Sequence, residues 1–142
     1  MSRRYLKARF NIGDKEWLTS NMRLHWREKY ARTLGLKNHG YYGGWYALAA
    51  AKISEKPVWN EERPCRVVVT VRPPTARRFD PPNASPTVKA LIDGLTLVGF
   101  WADDNGKIIK GLEYRGGEPT GTKGIYWVTI EAEDWAEEGV QA

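Results

Sequence analysis

Residues 66 to 95 read RVVVTVRPPTARRFDPPNASPTVKALIDGL, and this stretch decides the fold. Its first part is a valine-rich run bounded by proline, which predicts a strand covered on both faces and therefore central in a sheet. Its last part begins a repeat of apolar residues at helical spacing that continues past the quoted stretch to Val98. Gly99 follows, where a residue in the left-handed conformation would end a helix. Ser85 before Pro86 is a favourable helix start, with the hydroxyl as the cap. The stretch therefore predicts a strand, a proline-framed loop and an amphipathic helix.

The N-terminal part of the chain predicts a strand and a helix. YLKARFNI, residues 5 to 12, alternates apolar and polar positions and is typical of a half-buried strand. The segment after it is rich in helix formers and lacks alternation. Its helix is expected from about Met22 or Arg23 to about Leu36, with Ser20 or Asn21 as the cap.

Three glycines at 40, 43 and 44 are expected to interrupt this helix, so that WYALAAAKI forms a second helical piece. After the central strand and helix, Asn105-Gly106 marks a turn. KIIKGLEY and GIYWVTIEAE then predict two further strands. The order βαβαββ favours an α+β or mixed α/β domain, a small mixed sheet packed with two main helices.

Length and composition favour one domain in a reducing compartment. The 142 residues can bury one ordinary core, which we assign to residues 1 to 130, with an acidic tail at 131 to 142. The single Cys65 cannot form an internal disulfide, and no long apolar segment predicts secretion or membrane insertion. We therefore expect a cytoplasmic protein with no membrane partner.

The charge is positive and unevenly distributed. There are 22 Lys and Arg against 17 Asp and Glu, a net charge of +5, with the excess concentrated in the first 37 residues. A basic body favours a polyanionic partner such as nucleic acid, because binding releases condensed counterions. A basic protein without such a partner explains the charge equally well.

Four acidic residues and a lysine form the strongest candidate for chemistry. Lys89 and Asp93 share a helix face, and Asp80, Asp103 and Asp104 are expected to converge at one end of the sheet. Carboxylates beside a lysine suit Mg²⁺-assisted phosphodiester cleavage. Solvated turns and a surface ion pair are the alternative interpretation. Zinc and a Ser-His-Asp arrangement are not indicated, since His and Cys do not cluster.

Aromatic residues leave a second question open. The cluster YYGGWY, residues 41 to 46, suits either base stacking or packing in the core or a dimer interface. Trp101 and Trp127 lie among apolar residues and are expected in the core.

The ordered motifs RRFDPPN, VKALIDGL and GFWADD resemble the signature of the RusA-type Holliday-junction resolvases. The upstream LTSNMRLHW resembles the N-terminal segment of that family more loosely. Together the similarity covers most of residues 5 to 130. The resemblance implies a homodimeric endonuclease that uses Mg²⁺, with Mn²⁺ as a possible substitute, and nicks opposed strands of four-way DNA junctions. If the chain is encoded by a phage, it would act in the host-cell cytoplasm.

The resemblance also assigns roles to individual residues. Asp80, Lys89, Asp104 and Asp103 would be catalytic, Asp80 and Asp104 as metal ligands with Asp103 as helper. DNA contacts would come from Arg77, Arg78, Asn21 and Arg23.

This chain departs from the family at Pro82, which stands where the second aspartate is expected, and in a longer interval from Asn83 to Lys89. Proline offers no ligand, so Asp103, Asp93 or the amide oxygen of Asn83 would complete the metal shell. The missing carboxylate also makes a catalytically impaired protein that binds branched DNA conceivable.

Overall fold

The computed structural model describes residues 3–136 and has the predicted order of elements, βαβαββ. It is a mixed α+β domain with one four-stranded sheet and two main helices, as the sequence predicts. The elements are β1 (Tyr5–Gly13), α1 (Trp26–Ala50), β2 (Cys65–Arg72), a short 3-10 helix (Pro81–Ala84), α2 (Ser85–Val98), β3 (Ile109–Gly116) and β4 (Ile125–Asp134).

The strand order in the sheet is β1-β4-β2-β3. β2 pairs antiparallel with β4 and parallel with β3, and β1 pairs antiparallel with β4. The valine-rich strand is therefore central, as predicted. The parallel β2–β3 pair is connected through α2, because parallel neighbours need a long crossover.

The prediction that β2 is covered on both faces holds for the middle of the strand. Val67, Val69 and Val71 are fully buried on the helical side, and Val68 on the opposite side is 7% exposed. Arg66 and Thr70, which flank Val68 on that side, are only partly buried. Within the described chain the two helices pack against each other, and the exposed alternate positions of β1 lie on the other face. Three valines in succession therefore reflect strand propensity as well as burial.

α1 is one continuous helix, so the predicted interruption at Gly40, Gly43 and Gly44 was wrong. An ideal Cβ at Gly40 would lie 2.2 Å from the carbonyl oxygen of Leu91, and one at Gly94 would lie 2.2 Å from the carbonyl oxygen of Lys37. The glycines allow the backbones of α1 and α2 to approach closely. The gain in packing outweighs the weak helix propensity of glycine.

The start of α1 also differs from the prediction. The helix begins at Trp26, and the ring of His25 caps it by accepting a hydrogen bond from the backbone N–H of Arg27 at 3.2 Å. Ser20 and Asn21 are not caps, because they precede the first residue of the helix by five residues or more. The backbone N–H of Ser20 donates to the carbonyl oxygen of Asn83 at 3.0 Å. The segment before α1 is thereby tied to the 3-10 helix.

α2 follows the prediction closely. Its apolar residues Val88, Leu91 and Leu95 are buried, and Gly99 ends the helix with a φ of 104°. Ser85 is the first helical residue and not its cap, since the preceding 3-10 helix already supplies the turn.

Some of the acidic residues assigned to the C-terminal tail belong to the folded domain. β4 extends to Asp134, so the proposed boundary at residue 130 falls inside a strand, and residues 137 to 142 of the predicted tail lie outside the described residues. Asp134 accepts hydrogen bonds from the indole of Trp59 at 2.8 Å, from Arg63 at 2.8 and 3.0 Å, and from the backbone of Arg4 at 3.0 Å. It therefore fastens the connector before β2 to the end of the sheet.

The two tryptophans expected in the core have different environments. Trp101 is buried, as predicted, but Trp127 is 41% exposed because it lies on the open face of the sheet. There the guanidinium of Arg72 lies 4.5 Å from its ring centroid. Of the helices described, none has the length and apolar character needed to cross a membrane.

Candidate active site

Lys89 is the centre of a cluster of charged side chains on the exposed face of α2. Its ammonium donates to Oδ1 of Asp93 at 2.9 Å, one helical turn away, and to Oδ2 of Asp104 at 2.5 Å. Asp104 comes from the loop between α2 and β3, so this Lys89 cluster joins two segments. The shared helix face of Lys89 and Asp93, off the core, is confirmed.

The contacts within the Lys89 cluster favour the charged forms. The hydrogen bond from Lys89 lowers the pKa of Asp104 below its ordinary value. The hydrogen bonds to Asp104 and then Asp93 raise the pKa of Lys89. One cation therefore faces two carboxylates at neutral pH, and the cluster retains a net negative charge.

Asp103 shapes the loop that carries Asp104. Its Oδ1 accepts a hydrogen bond from the backbone N–H of Asp104 at 2.8 Å, and its Oδ2 accepts one from the side-chain amide of Asn105 at 3.3 Å. The Asn105 side chain in turn accepts from the backbone N–H of Lys107 at 2.9 Å. These contacts are those of a tight turn, so Asp103 orients its neighbour through the backbone.

A second group of polar residues lines a cavity of about 260 Å³ at the other candidate position, the Asp80 pocket. Asp80 is exposed there, and its carboxylate accepts no hydrogen bond from residues 3–136. The amides of Asn21 and Asn83 and the guanidinium of Arg78 line the same cavity. The remaining lining residues are Thr19, Phe79 and Tyr126.

Buried hydrogen bonds hold the walls of the Asp80 pocket together. The hydroxyl of Thr87, fully buried in α2, accepts from the backbone N–H of Leu18 and donates to its carbonyl oxygen, both at 2.8 Å. The backbone N–H of Asn83 donates to the carbonyl oxygen of Asp80 at 2.9 Å. The segment around Asn21 is thereby fixed against the start of α2.

The arginines before Asp80 face solvent. Arg77 and Arg78 are exposed and line a neighbouring cavity of about 420 Å³, and neither guanidinium has an acidic partner in the described part of the chain. Unpaired, exposed guanidinium groups are suited to phosphate oxygens. Arg23 is exposed and lines neither of these two cavities.

Asp80, Asp103 and Asp104 do not form a group able to hold a metal within residues 3–136, and their predicted convergence at one end of the sheet stays a prediction. Asp80 lies in the segment between β2 and α2, whereas Asp103 and Asp104 lie in the loop between α2 and β3. Lys89, in the first half of α2, contacts Asp104 and not Asp80.

Whether a metal ion fits here depends on which side-chain oxygen atoms are available as ligands. Within residues 3–136 no three or more His, Cys, Asp and Glu side chains form a group able to hold a metal. Asp104 and Asp93 already share a cation, Lys89. The free carboxylate of Asp80 and the neighbouring amides are hard oxygen donors, which suit Mg²⁺ that keeps its waters and shares a substrate phosphate.

Sequence reasoning missed the aromatic residues beneath the Asp80 pocket. Trp17 stacks on Tyr126 with ring centroids 3.9 Å apart, and Phe79 packs against both at 6.4 and 6.2 Å. Tyr126 is in β4, far from Asp80 in sequence, and its pairing opposite Ile12 of β1 is set by the strand register. Phe79, between the arginines and Asp80, was the one signal available in the sequence.

Comparison with protein-family models and with curated proteins found no match to this chain. The resemblance to RusA-type resolvases stays a prediction made from the motifs.

Proposed function

We propose that this chain is a Mg²⁺-dependent endonuclease acting on branched DNA, with four-way junctions as its substrate and the cytoplasm as its location. The observation that carries the proposal is the Lys89 cluster, an exposed lysine held between two carboxylates on the helix that follows the arginine-rich loop. The unpaired arginines and the free Asp80 carboxylate support it.

Arg77 and Arg78 bind backbone phosphates, which positions the DNA without reading its sequence. Lys89 then exchanges a carboxylate partner for a phosphate oxygen and neutralises charge that develops on the phosphorus. Asp93 keeps the ammonium in place from the same helix face. This exchange frees the Asp104 carboxylate.

Asp80 and Asn83 would hold the metal ion, with Asp104 and Asp93 as further donors and Asp103 as the residue that orients Asp104. Mg²⁺, or Mn²⁺ in its place, supplies a polarised water and charge neutralisation at the leaving oxygen.

The test is cleavage of a synthetic four-way junction with and without Mg²⁺. We expect symmetric nicks that disappear in Asp80→Asn, Asp104→Asn and Lys89→Met while junction binding persists in a gel-shift assay. Lys107→Met, a second exposed lysine in the loop before β3, is the matched control and should cleave normally.

The second candidate is a catalytically impaired protein that binds branched DNA. Pro82 in place of a carboxylate and the absence of a group of three acidic ligands within the described residues favour it. Junction binding without cleavage in Mg²⁺ or Mn²⁺ would support this candidate against the nuclease. A chain with no salt-sensitive affinity for junctions would exclude both.

A further inference from the structure

Both helices pack on one side of the sheet, and alternate strand residues form an open face on the other side. Trp127 of β4 lies on this open face between Asn11 of β1 and Arg72 of β2, its cross-strand partners. Its side chain is 41% exposed, although tryptophan is a large apolar residue that is highly buried on average. The ring is therefore available for contact with a ligand.

A groove of about 680 Å³ lies beside the Trp127 ring. Lys7, Arg9 and Asn11 contribute to it from β1, and Arg72 contributes from β2. The remaining lining residues are Phe10, Val128 and Thr129. We call this site the Trp127 groove. An exposed aromatic ring among several cations suits a ligand that has flat rings and negative charges.

The three cations of the Trp127 groove have no acidic partner in the described part of the chain. Lys7 and Arg9 make no ion pair and no side-chain hydrogen bond within residues 3–136. Arg72 donates to the backbone carbonyl oxygens of Glu118 at 2.9 Å and Pro119 at 3.3 Å, which orient the guanidinium and leave its charge unneutralised. The positive charge of the groove is therefore available to a polyanion.

The glutamates of the open face lie at its other end and already have partners. Arg66 binds two of them, Glu113 at 2.8 Å and Glu133 at 3.1 Å, and the hydroxyl of Tyr5 donates to the third, Glu131. The two cross-strand rows at the Trp127 end contain no Asp or Glu; they are Asn11, Trp127 and Arg72, and Arg9, Thr129, Thr70 and Arg115. The charges of the open face are therefore segregated, with the unpaired cations around the tryptophan.

The spacing of these side chains suits one unpaired base and its neighbouring phosphates. The Arg72 guanidinium lies 4.5 Å from the Trp127 ring centroid and covers one face of the ring. A base can stack on the exposed part of the ring, and any base can do so because each has a π-face. Arg9 is a diagonal neighbour of Trp127, at about 7 to 8 Å for such pairs, so its side chain can reach a phosphate of the stacked nucleotide.

We propose that the Trp127 groove binds single-stranded nucleic acid, with Trp127 stacked on a base and Arg9, Arg72 and Lys7 holding phosphates. A single strand is the occupant because the bases of a duplex are stacked on each other and cannot reach the ring. The groove lies on the opposite side of the sheet from α2 and its Lys89, so it is a site apart from the candidate active site. The inference rests on the open face alone and does not depend on the nuclease proposal.

The experiment is fluorescence anisotropy of a short labelled oligothymidylate with the full chain, without divalent metal. The wild type should bind with an affinity that falls with salt, and Trp127→Ala should raise the dissociation constant by at least about fivefold, the effect of one lost base stack. Trp127→Phe keeps a ring and should retain most of the affinity. Arg9→Gln should reduce the slope of log affinity against log salt by about 0.7, which corresponds to one phosphate contact. An oligouridylate of equal length shows whether DNA or RNA is the preferred strand.

Tyr5→Ala and Arg115→Gln are the matched controls on the same open face. Tyr5 is 47% exposed but lies among the glutamates, and Arg115 is already paired with Glu113. Both variants should leave the dissociation constant and the salt slope unchanged. Circular dichroism should show that all variants are folded.

A wild type without salt-sensitive affinity for the oligonucleotide would overturn the proposal. It would also fail if Trp127→Ala binds like the wild type, and loss of binding in Arg77→Gln/Arg78→Gln would then place the strand at the loop before Asp80. Equal binding of a duplex of the same length, weakened equally by Trp127→Ala, would show that the ring does not stack on unpaired bases. None of these results bears on cleavage of four-way junctions, which tests the nuclease separately.

Discussion

Gly40→Ala should destabilise the protein, although alanine is the better helix former. The added methyl group would meet the backbone of Leu91, with 2.2 Å to the carbonyl oxygen, 2.9 Å to the carbonyl carbon and 3.0 Å to Cα. Backbone cannot move aside as a flexible side chain does, so α1 and α2 must separate. Gly35→Ala is the matched control in the same helix, because its methyl group would meet only Glu16 Oε2 at 3.7 Å.

The magnitudes follow from two opposing terms. Replacing glycine by alanine within a helix gains about 1 kcal/mol. Overpacking costs about 1 to 3 kcal/mol where side chains can adjust, and the upper end applies where the contact is backbone. Gly40→Ala should therefore lose about 2 kcal/mol of unfolding free energy, and Gly35→Ala should gain about 1 kcal/mol.

Urea unfolding followed by tryptophan fluorescence measures both values, and the slopes with urea should be equal if the native state is intact. The result that would refute the reasoning is a Gly40→Ala protein as stable as Gly35→Ala. The helices would then have room for a methyl group, and the glycine at position 40 would need another explanation.

Two further stability predictions concern residues that hold the fold around the candidate site. Burial alone would raise the pKa of Asp134, but hydrogen bonds from Arg63, the Arg4 backbone and Trp59 hold this pKa at about 2, below the ordinary 3.8. Because the pKa in the folded state is lower than in the unfolded state, the ionised carboxylate contributes about 2 kcal/mol of stability above pH 4, which is lost as the pH falls toward 2. In urea titrations, Asp134→Asn should therefore be less stable than the wild type at pH 7 and equally stable near pH 2. An equal difference in stability at both pH values would contradict this. Thr87→Val should lower the free energy of unfolding by about 3 kcal/mol, because the buried N–H and C=O of Leu18 lose their hydrogen-bond partner. Thr87→Ser keeps the hydroxyl and is the conservative control. Thermal unfolding should show the loss in the valine variant and not in the serine variant.

The fold was predictable where one local signal dominated. The valine run of β2 and the apolar repeat of α2 favour the same structure locally and in the folded domain. The strand, the helix and the end of the helix at Gly99 are therefore observed as predicted. α1 was predicted in two pieces, because glycine alone suggests a helix break. Its use in close helix packing depends on Leu91, 51 residues after Gly40.

The candidate site was predictable in composition but not in arrangement. The pairing of Lys89 with Asp93 follows from helical spacing, and it is present. The contact of Lys89 with Asp104 depends on how the loop before β3 folds back along α2, which the order of elements leaves open. Tyr126 lines the Asp80 pocket because of the register of β4 in the sheet, which no short motif encodes.

The position of Cys65 has a practical consequence for all of these experiments. The thiol is fully buried at the start of the central strand, and burial raises its pKa to about 12, so it is not a nucleophile in the folded protein. A thiol reagent can reach it only when the middle of the sheet opens. Its labelling rate therefore reports, in any variant of the Lys89 cluster, whether an altered activity comes from the surface itself or from a loosened core.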